Sequence, residues 1–182
     1  MKTKIILASG SKQRKLMMEA LGISFVVVPA DINEKEIRNE NLEIRAEKIA
    51  RAKAEKVAKN HQGIIISADT FSACDKNVLE KPKSLKEASK MLKLQANKTC
   101  ILFTGFCYLD KANGIDYSTT AITKYVLRKK NNPVLDWSAS FSPAYPYQMG
   151  FIKEIEGSLT GLTHGLPVEL LIPCLEKSGV KV

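Results

Sequence analysis

The stretch from Ile5 to Leu21 constrains this chain most, because its apolar period changes at a serine-glycine turn. Ile5, Ile6 and Leu7 form the short apolar run of a buried strand, while Leu16, Met17, Ala20 and Leu21 recur at helical spacing. Between them lies Ser9-Gly10-Ser11-Lys12-Gln13-Arg14. A strand that turns through Ser-Gly-Ser into a helix leaves unpaired N–H groups and the positive end of the helix dipole at the turn, a geometry that stabilises anions. Ser9, Ser11 and Arg14 add hydroxyl and guanidinium donors there. Two roles fit Ser11: a plain N-cap, or a phosphate contact. The Gly-x-x-x-x-Gly-Lys spacing of a Walker A loop is missing.

The rest of the chain reads as alternating strands and helices. Ser24 to Val28 predicts a strand ended by Pro29, Asp31 to Asn41 a polar loop or lid, and Leu42 to Lys59 a helix. Gly63 to Asp69 predicts a strand buried on both faces, as in a parallel sheet flanked by helices. A helix is expected over Ser84 to Leu94 with Leu85, Ala88, Met91 and Leu92 on one side. Thr99 to Leu109 and Tyr117 to Leu127 predict strands around an Asn113-Gly114 turn, and Met149 to Ile155 another strand. Pro167 opens a final helix that Pro173 should kink. The irregular segment Asn131 to Gln148, with Trp137, Tyr145 and Tyr147, fits either a binding mouth or a surface loop. The expectation is an α/β fold in a single domain over residues 1–182.

Composition narrows the partners. The formal net charge of +9 favours an anionic ligand such as a nucleotide or nucleic acid. The Lys-rich region from Glu34 to Lys59 intersperses acids and carries no aromatic residues for base stacking, so a specific nucleic-acid surface is not expected. No apolar run approaches a membrane span and no secretory signal precedes the first strand, which predicts a cytoplasmic protein without membrane contact. Cys74, Cys100, Cys107 and Cys174 form no Cys-x-x-Cys pair and are expected as buried thiols. With His61 and His164 alone, no zinc spacing exists; a hard metal held by carboxylates stays open.

Three further residues point to chemistry. Lys53 falls on the apolar stripe Leu42, Ala46, Ile49, Ala50 and Val57, where it either snorkels its amine outward or points it into a cleft. Asp69 is expected at the carboxyl edge of the sheet, placed to hold a divalent metal or take a proton from water, or else to cap the next loop. Pro82 stiffens the backbone beside Lys81, which returns to the same edge. One acid and several cations near a serine turn suggest metal-assisted attack on a polyphosphate.

In this order, Leu7-Ala8-Ser9-x-Ser11 with Arg14, Asp31 to Glu34, Lys53-Ala54, Ala68-Asp69-Thr70, Lys81-Pro82, Thr104-Gly105 and Gly165-Leu166-Pro167 resemble the Maf family of nucleoside triphosphate pyrophosphatases over essentially the whole chain. The resemblance implies an elongated Maf/ITPase-like α/β domain, with a mixed central sheet, flanking helices and a deep cleft between two lobes. It implies hydrolysis between the α and β phosphates with Mg or Mn, and leaves a homodimer open. By the same resemblance Asp69 is the proton acceptor or metal-side carboxylate, Glu34 a metal or water partner, and Ser9, Arg14, Lys53 and Lys81 the polyphosphate ligands; Asp69, Lys53 and Lys81 form the catalytic set, and Ser11 is a further substrate contact. Gln13, Thr70 and Tyr145 fall on the nucleoside side.

Phe103 to Gly114 and Ser140-Phe141 look like the 7-methyl-GTP branch, whose modified nucleotide is then the expected substrate. Other positions depart from that branch. It carries an aromatic at position 13, where Gln13 has no ring to stack on a cationic base, and Asp69-Thr70 is the pairing usual in the dTTP/UTP branch. Tyr145 stands where the family presents Glu or Gln to the base. Glu80 replaces the glycine that usually precedes the family's Lys-Pro, and its negative charge either depresses turnover through repulsion or holds Lys81 in place. These departures motivate an alternative, a catalytically weak nucleotide-binding regulator of the same fold.

Overall fold

The computed structural model describes residues 4–129 and 150–182. Elements follow in the order β1 (Ile5–Leu7), α1 (Lys12–Ala20), β2 (Val26–Val27), a 3-10 turn (Glu34–Glu36), α2 (Leu42–Ala58), β3 (Ile64–Cys74) and β4 (Asn77–Leu79). Then come α3 (Leu85–Gln95), β5 (Thr99–Asp110), a second 3-10 turn (Lys111–Asn113), β6 (Ile115–Leu127), β7 (Ile152–Gly157), α4 (Leu159–His164) and α5 (Val168–Lys177).

The strands form one mixed sheet of order β2-β1-β3-β5-β6-β7, with β4 folded back on β3. The β2-β1-β3 pairings are parallel and the rest antiparallel. Side chains alternate faces along β3. Ile64, Ile66 and Ala68 join Leu7, Met18, Phe106, Leu171 and Leu175 on the α1/α5 face. Ile65 joins Ile6, Ala50, Ala54, Val57 and Cys107 under α2. A further cluster of Leu102, Tyr125, Leu127 and Leu162 packs toward α3 and α4. All four cysteines are buried free thiols, as expected.

Four expectations need correction. Strand β3 does not stop at Asp69: β5 offers an unbroken antiparallel partner as far as Cys74 opposite Cys100, so Asp69 lies mid-strand, facing Gly105. The strand end belongs to β1, which stops at Leu7 beside Ile66. The second strand shrinks to Val26–Val27 because, among the described residues, it is an edge strand paired only with β1, both valines exposed. The seventh begins at Ile152 and runs to Gly157, past the expected end. Leu85, expected on the apolar side of α3, is exposed, since it occupies the first helical position after the Ser84 cap. No helix among the described residues is long and apolar enough to cross a membrane.

Candidate active site

The early stop of β1 builds the site. On that edge of β3, among the described residues, no strand lies between Leu7, opposite Ile66, and β4, which pairs from Ser72 onward. Asp69 on the α2 face and Thr70 on the other fall in this gap, into which the Ser9-Gly10-Ser11 turn leads.

On the α1 side, Ser11 is the N-cap, its Oγ accepting from Arg14 N at 3.5 Å. Arg14, on the inward face of α1, is buried. Its Nε donates to Gly165 O (2.8 Å), Nη1 to Ser9 Oγ (2.9 Å) and Nη2 to Thr70 Oγ1 (3.2 Å). A guanidinium carries five N–H groups, so among the described residues these three bonds leave one on each Nη for an anion. Burial pushes the Arg14 pKa down, and the charges of Asp69 and Glu34 oppose that shift. Gly165 caps α4 in the left-handed region (φ +66°), and a Cβ there would stand 3.0 Å from Thr70 Oγ1 and 3.4 Å from Arg14 Nη2. A side chain would therefore crowd the guanidinium that its carbonyl holds.

On the α2 side, Lys53 does not snorkel. Its Nζ lies 2.7 Å from Asp69 Oδ1 and 2.8 Å from Glu34 Oε1. Residue exposures of 7% for Lys53 and 8% for Asp69 explain the choice: the amine's stem is packed under α2, and the two carboxylates supply the charge that solvent would otherwise screen. Helix α2 sits low on the sheet because Gly105 has no Cβ; one would lie 2.0 Å from Ala46 O. Ser67 Oγ, donating to Ala50 O at 2.5 Å, ties down the same helix. Glu34 arrives from the 3-10 turn within the expected polar loop.

A cleft of about 560 Å³ opens from the serine turn and is lined by Ser11, Gln13, Arg14, Thr70, Lys81 and His164 before it turns apolar. Ser9, Lys53, Asp69 and Glu34 are not on that wall and lie around the end of β1. Tyr145, with the whole of Asn131 to Gln148, lies outside the described residues. Glu80 bonds Arg45 Nη2 at 2.6 Å, and Arg45 stacks over Phe71, 4.9 Å from the ring centroid. The glutamate's charge is thus drawn to an arginine, whatever else it does to Lys81.

Arg45 was missed in the sequence reading, although it shares the spacing of Ile49 and Lys53 on α2 and is itself buried. So were Ser72, Gln95 and Tyr125, which line the outer cleft. Gln95 carried a legible signal, since it continues the Ala88, Met91 and Leu92 side of α3.

Among the described residues no group of three or more His, Cys, Asp or Glu could hold a metal ion. Asp69 and Glu34 do converge on one cation, Lys53 Nζ. Two carboxylates with phosphate and water oxygens completing the shell suit Mg, which rarely takes an all-protein cage.

Comparison with known proteins agrees with this architecture. A protein of Citrifermentans bemidjiense named dTTP/UTP pyrophosphatase is 32% identical over 96% of this chain and 95% of its own. Namesakes from Nitratidesulfovibrio vulgaris and Pyrococcus furiosus are 34% and 33% identical, over 96% and 95% of this chain and 88% and 94% of theirs. The Ham1 protein of Staphylococcus aureus shares the fold at a TM-score of 0.57 and 11% identity, covering 96% of this chain and 99% of that one. The family described as Maf-like protein matches residues 4–178, and with the serine turn, Lys53, Asp69 and Gly165 placed as above, the chain belongs to that family.

Proposed function

We propose that this protein is a nucleoside triphosphate pyrophosphatase that splits its substrate between the α and β phosphates. One observation carries the reading: Arg14, held by three bonds with N–H groups to spare, stands at the end of β1 beside the Lys53–Asp69–Glu34 cluster. The triphosphate lies against the Ser9-Gly10-Ser11 turn and the N-terminus of α1. Arg14 and Lys81 neutralise charge that builds on the departing pyrophosphate. Asp69 accepts the proton of the attacking water, and Lys53 holds that carboxylate in place against the sheet. Asp69 and Glu34 would hold a divalent cation, Mg or Mn, which when bound supplies charge neutralisation at the phosphate oxygens.

For the base, uracil or thymine is the first reading. The relatives compared above are named for dTTP and UTP. Thr70, the residue usual in that branch, is bonded to Arg14 on the cleft wall. The hairpin resemblance at Phe103 to Gly114 keeps 7-methyl-GTP as the second reading, and removal of a modified nucleotide as the role that goes with it.

The position of cleavage is tested by turnover in H₂¹⁸O. Attack at the α phosphorus puts the label in the monophosphate. Label in the pyrophosphate, or release of inorganic phosphate instead, would refute the proposed chemistry.

A further inference from the structure

Residues two apart on a strand share a face and lie roughly 7 Å apart. Thr70 and Ser72 therefore enter the cleft in succession, Thr70 tied to Arg14 at the phosphate end and Ser72 one step further along. Around Ser72 the wall is apolar, with Leu79, Met91, Leu102 and Leu162, and two buried polar side chains, Tyr125 and Gln95, stand within it.

Their protons can be assigned one by one. Gln95 Nε2 donates to Met91 O at 3.0 Å, which turns Oε1 toward Tyr125. The Tyr125 hydroxyl donates to that oxygen at 2.5 Å. A phenol has a single proton, so the 3.0 Å contact between Tyr125 and Ser72 is made by the serine's proton. Burial raises the Tyr125 pKa, so the hydroxyl keeps its proton at any working pH. The relay runs Ser72 to Tyr125 to Gln95 to the Met91 carbonyl, and Ser72 Oγ is left as an acceptor only.

We infer that Ser72 is a specificity-determining residue: its oxygen accepts a hydrogen bond from the ring N–H of a uracil or thymine base and meets the ring lone pair of cytosine with repulsion. The inference rests on the nucleoside triphosphate reading above. Tyr125 is a positioning residue, since it acts by holding the serine's proton away from the ligand. Replacing it frees that proton, and Ser72 then donates to cytosine as readily as it accepts from uracil.

The test is calorimetric binding of the non-hydrolysable α,β-methylene analogues of UTP and CTP to the full chain, so that affinity is read without turnover. The parent is expected to bind the uracil analogue about tenfold more tightly, the discrimination of one hydrogen bond gained against one lost. Ser72→Ala should remove the preference by weakening the uracil analogue, and Tyr125→Phe should remove it by strengthening the cytosine analogue. Melting curves identify any variant that has lost its fold. A parent without preference, or a preference unmoved in a folded Ser72→Ala, overturns the inference. So does a Ser72 effect that vanishes with the 2′,3′-dideoxy analogue, which would place the donor on the sugar. Pyrophosphate release from UTP is read separately, so failure of the hydrolase reading and failure of the base reading are told apart.

Discussion

Gly105→Ala joins the fold to the chemistry in one substitution. Gly105 faces Asp69 across the β3–β5 ladder, and α2 passes directly above it. An added Cβ would stand 2.0 Å from Ala46 O, 2.3 Å from Ala46 C and 2.9 Å from Glu47 N. Carbon and oxygen tolerate about 3.3 Å, so the helix backbone must lift by more than roughly 1 Å, and no rotamer change can absorb the overlap. A gap of that size forfeits about half or more of each dispersion contact made by Ile49, Ala50, Ala54 and Val57 against the sheet. Overpacking against side chains costs about 1–3 kcal/mol, and against backbone the cost should reach or exceed the upper figure. The same lift draws Lys53 Nζ from its 2.7 Å contact with Asp69. Urea unfolding with a fitted m-value measures the first effect, and pyrophosphate release the second. A variant within 0.5 kcal/mol of the parent, by the roughly 0.5 kcal/mol scatter of ordinary surface changes, and equally active, would refute the claim that Gly105 seats α2.

Arg14→Lys keeps a charge but cannot serve Gly165 O, Ser9 Oγ and Thr70 Oγ1 together, so kcat/KM should fall roughly 100-fold, read by steady-state pyrophosphate release. Asp110 tests the pH dependence of stability. Burial pushes its carboxyl up, but bonds from Asn113, Ser178 and the backbone N–H of Ala112 outweigh that and leave it below the ordinary 3.8. A depressed carboxylate stabilises the fold above 3.8 and loses that contribution as pH falls through its folded value. Asp110→Ala should therefore cost about 1–2 kcal/mol near neutrality, and the gap from the parent should narrow in acid, as urea midpoints at the two pH values would show.

The local parts of the site were legible because they rest on short-range rules. Period change and turn chemistry placed the Ser9-Gly10-Ser11 turn, and an off-pattern lysine on an apolar stripe marked Lys53. What the lysine bonds was not legible, because Glu34 and Asp69 reach it only through tertiary packing. The strand end was misplaced for a related reason. Residues 70–74 fit a strand, but only the β5 partner shows that β3 continues, and only the shortness of β1 shows where the two faces meet. Ser72, Gln95 and Tyr125 lie far apart in sequence, and no period reports that three elements bring them together. The relay is a property of the packed cleft.

The central claim is hydrolysis with Asp69 as proton acceptor. It is tested most directly by pyrophosphate release from UTP, dTTP, CTP and 7-methyl-GTP with Mg²⁺ and then Mn²⁺, in the parent and in Asp69→Asn. The asparagine keeps an Oδ1 for Lys53, which bonds that atom at 2.7 Å, so the variant should fold. The account predicts release from one or a few of these nucleotides by the parent and none by the variant. Release at the parent rate from folded Asp69→Asn would contradict it.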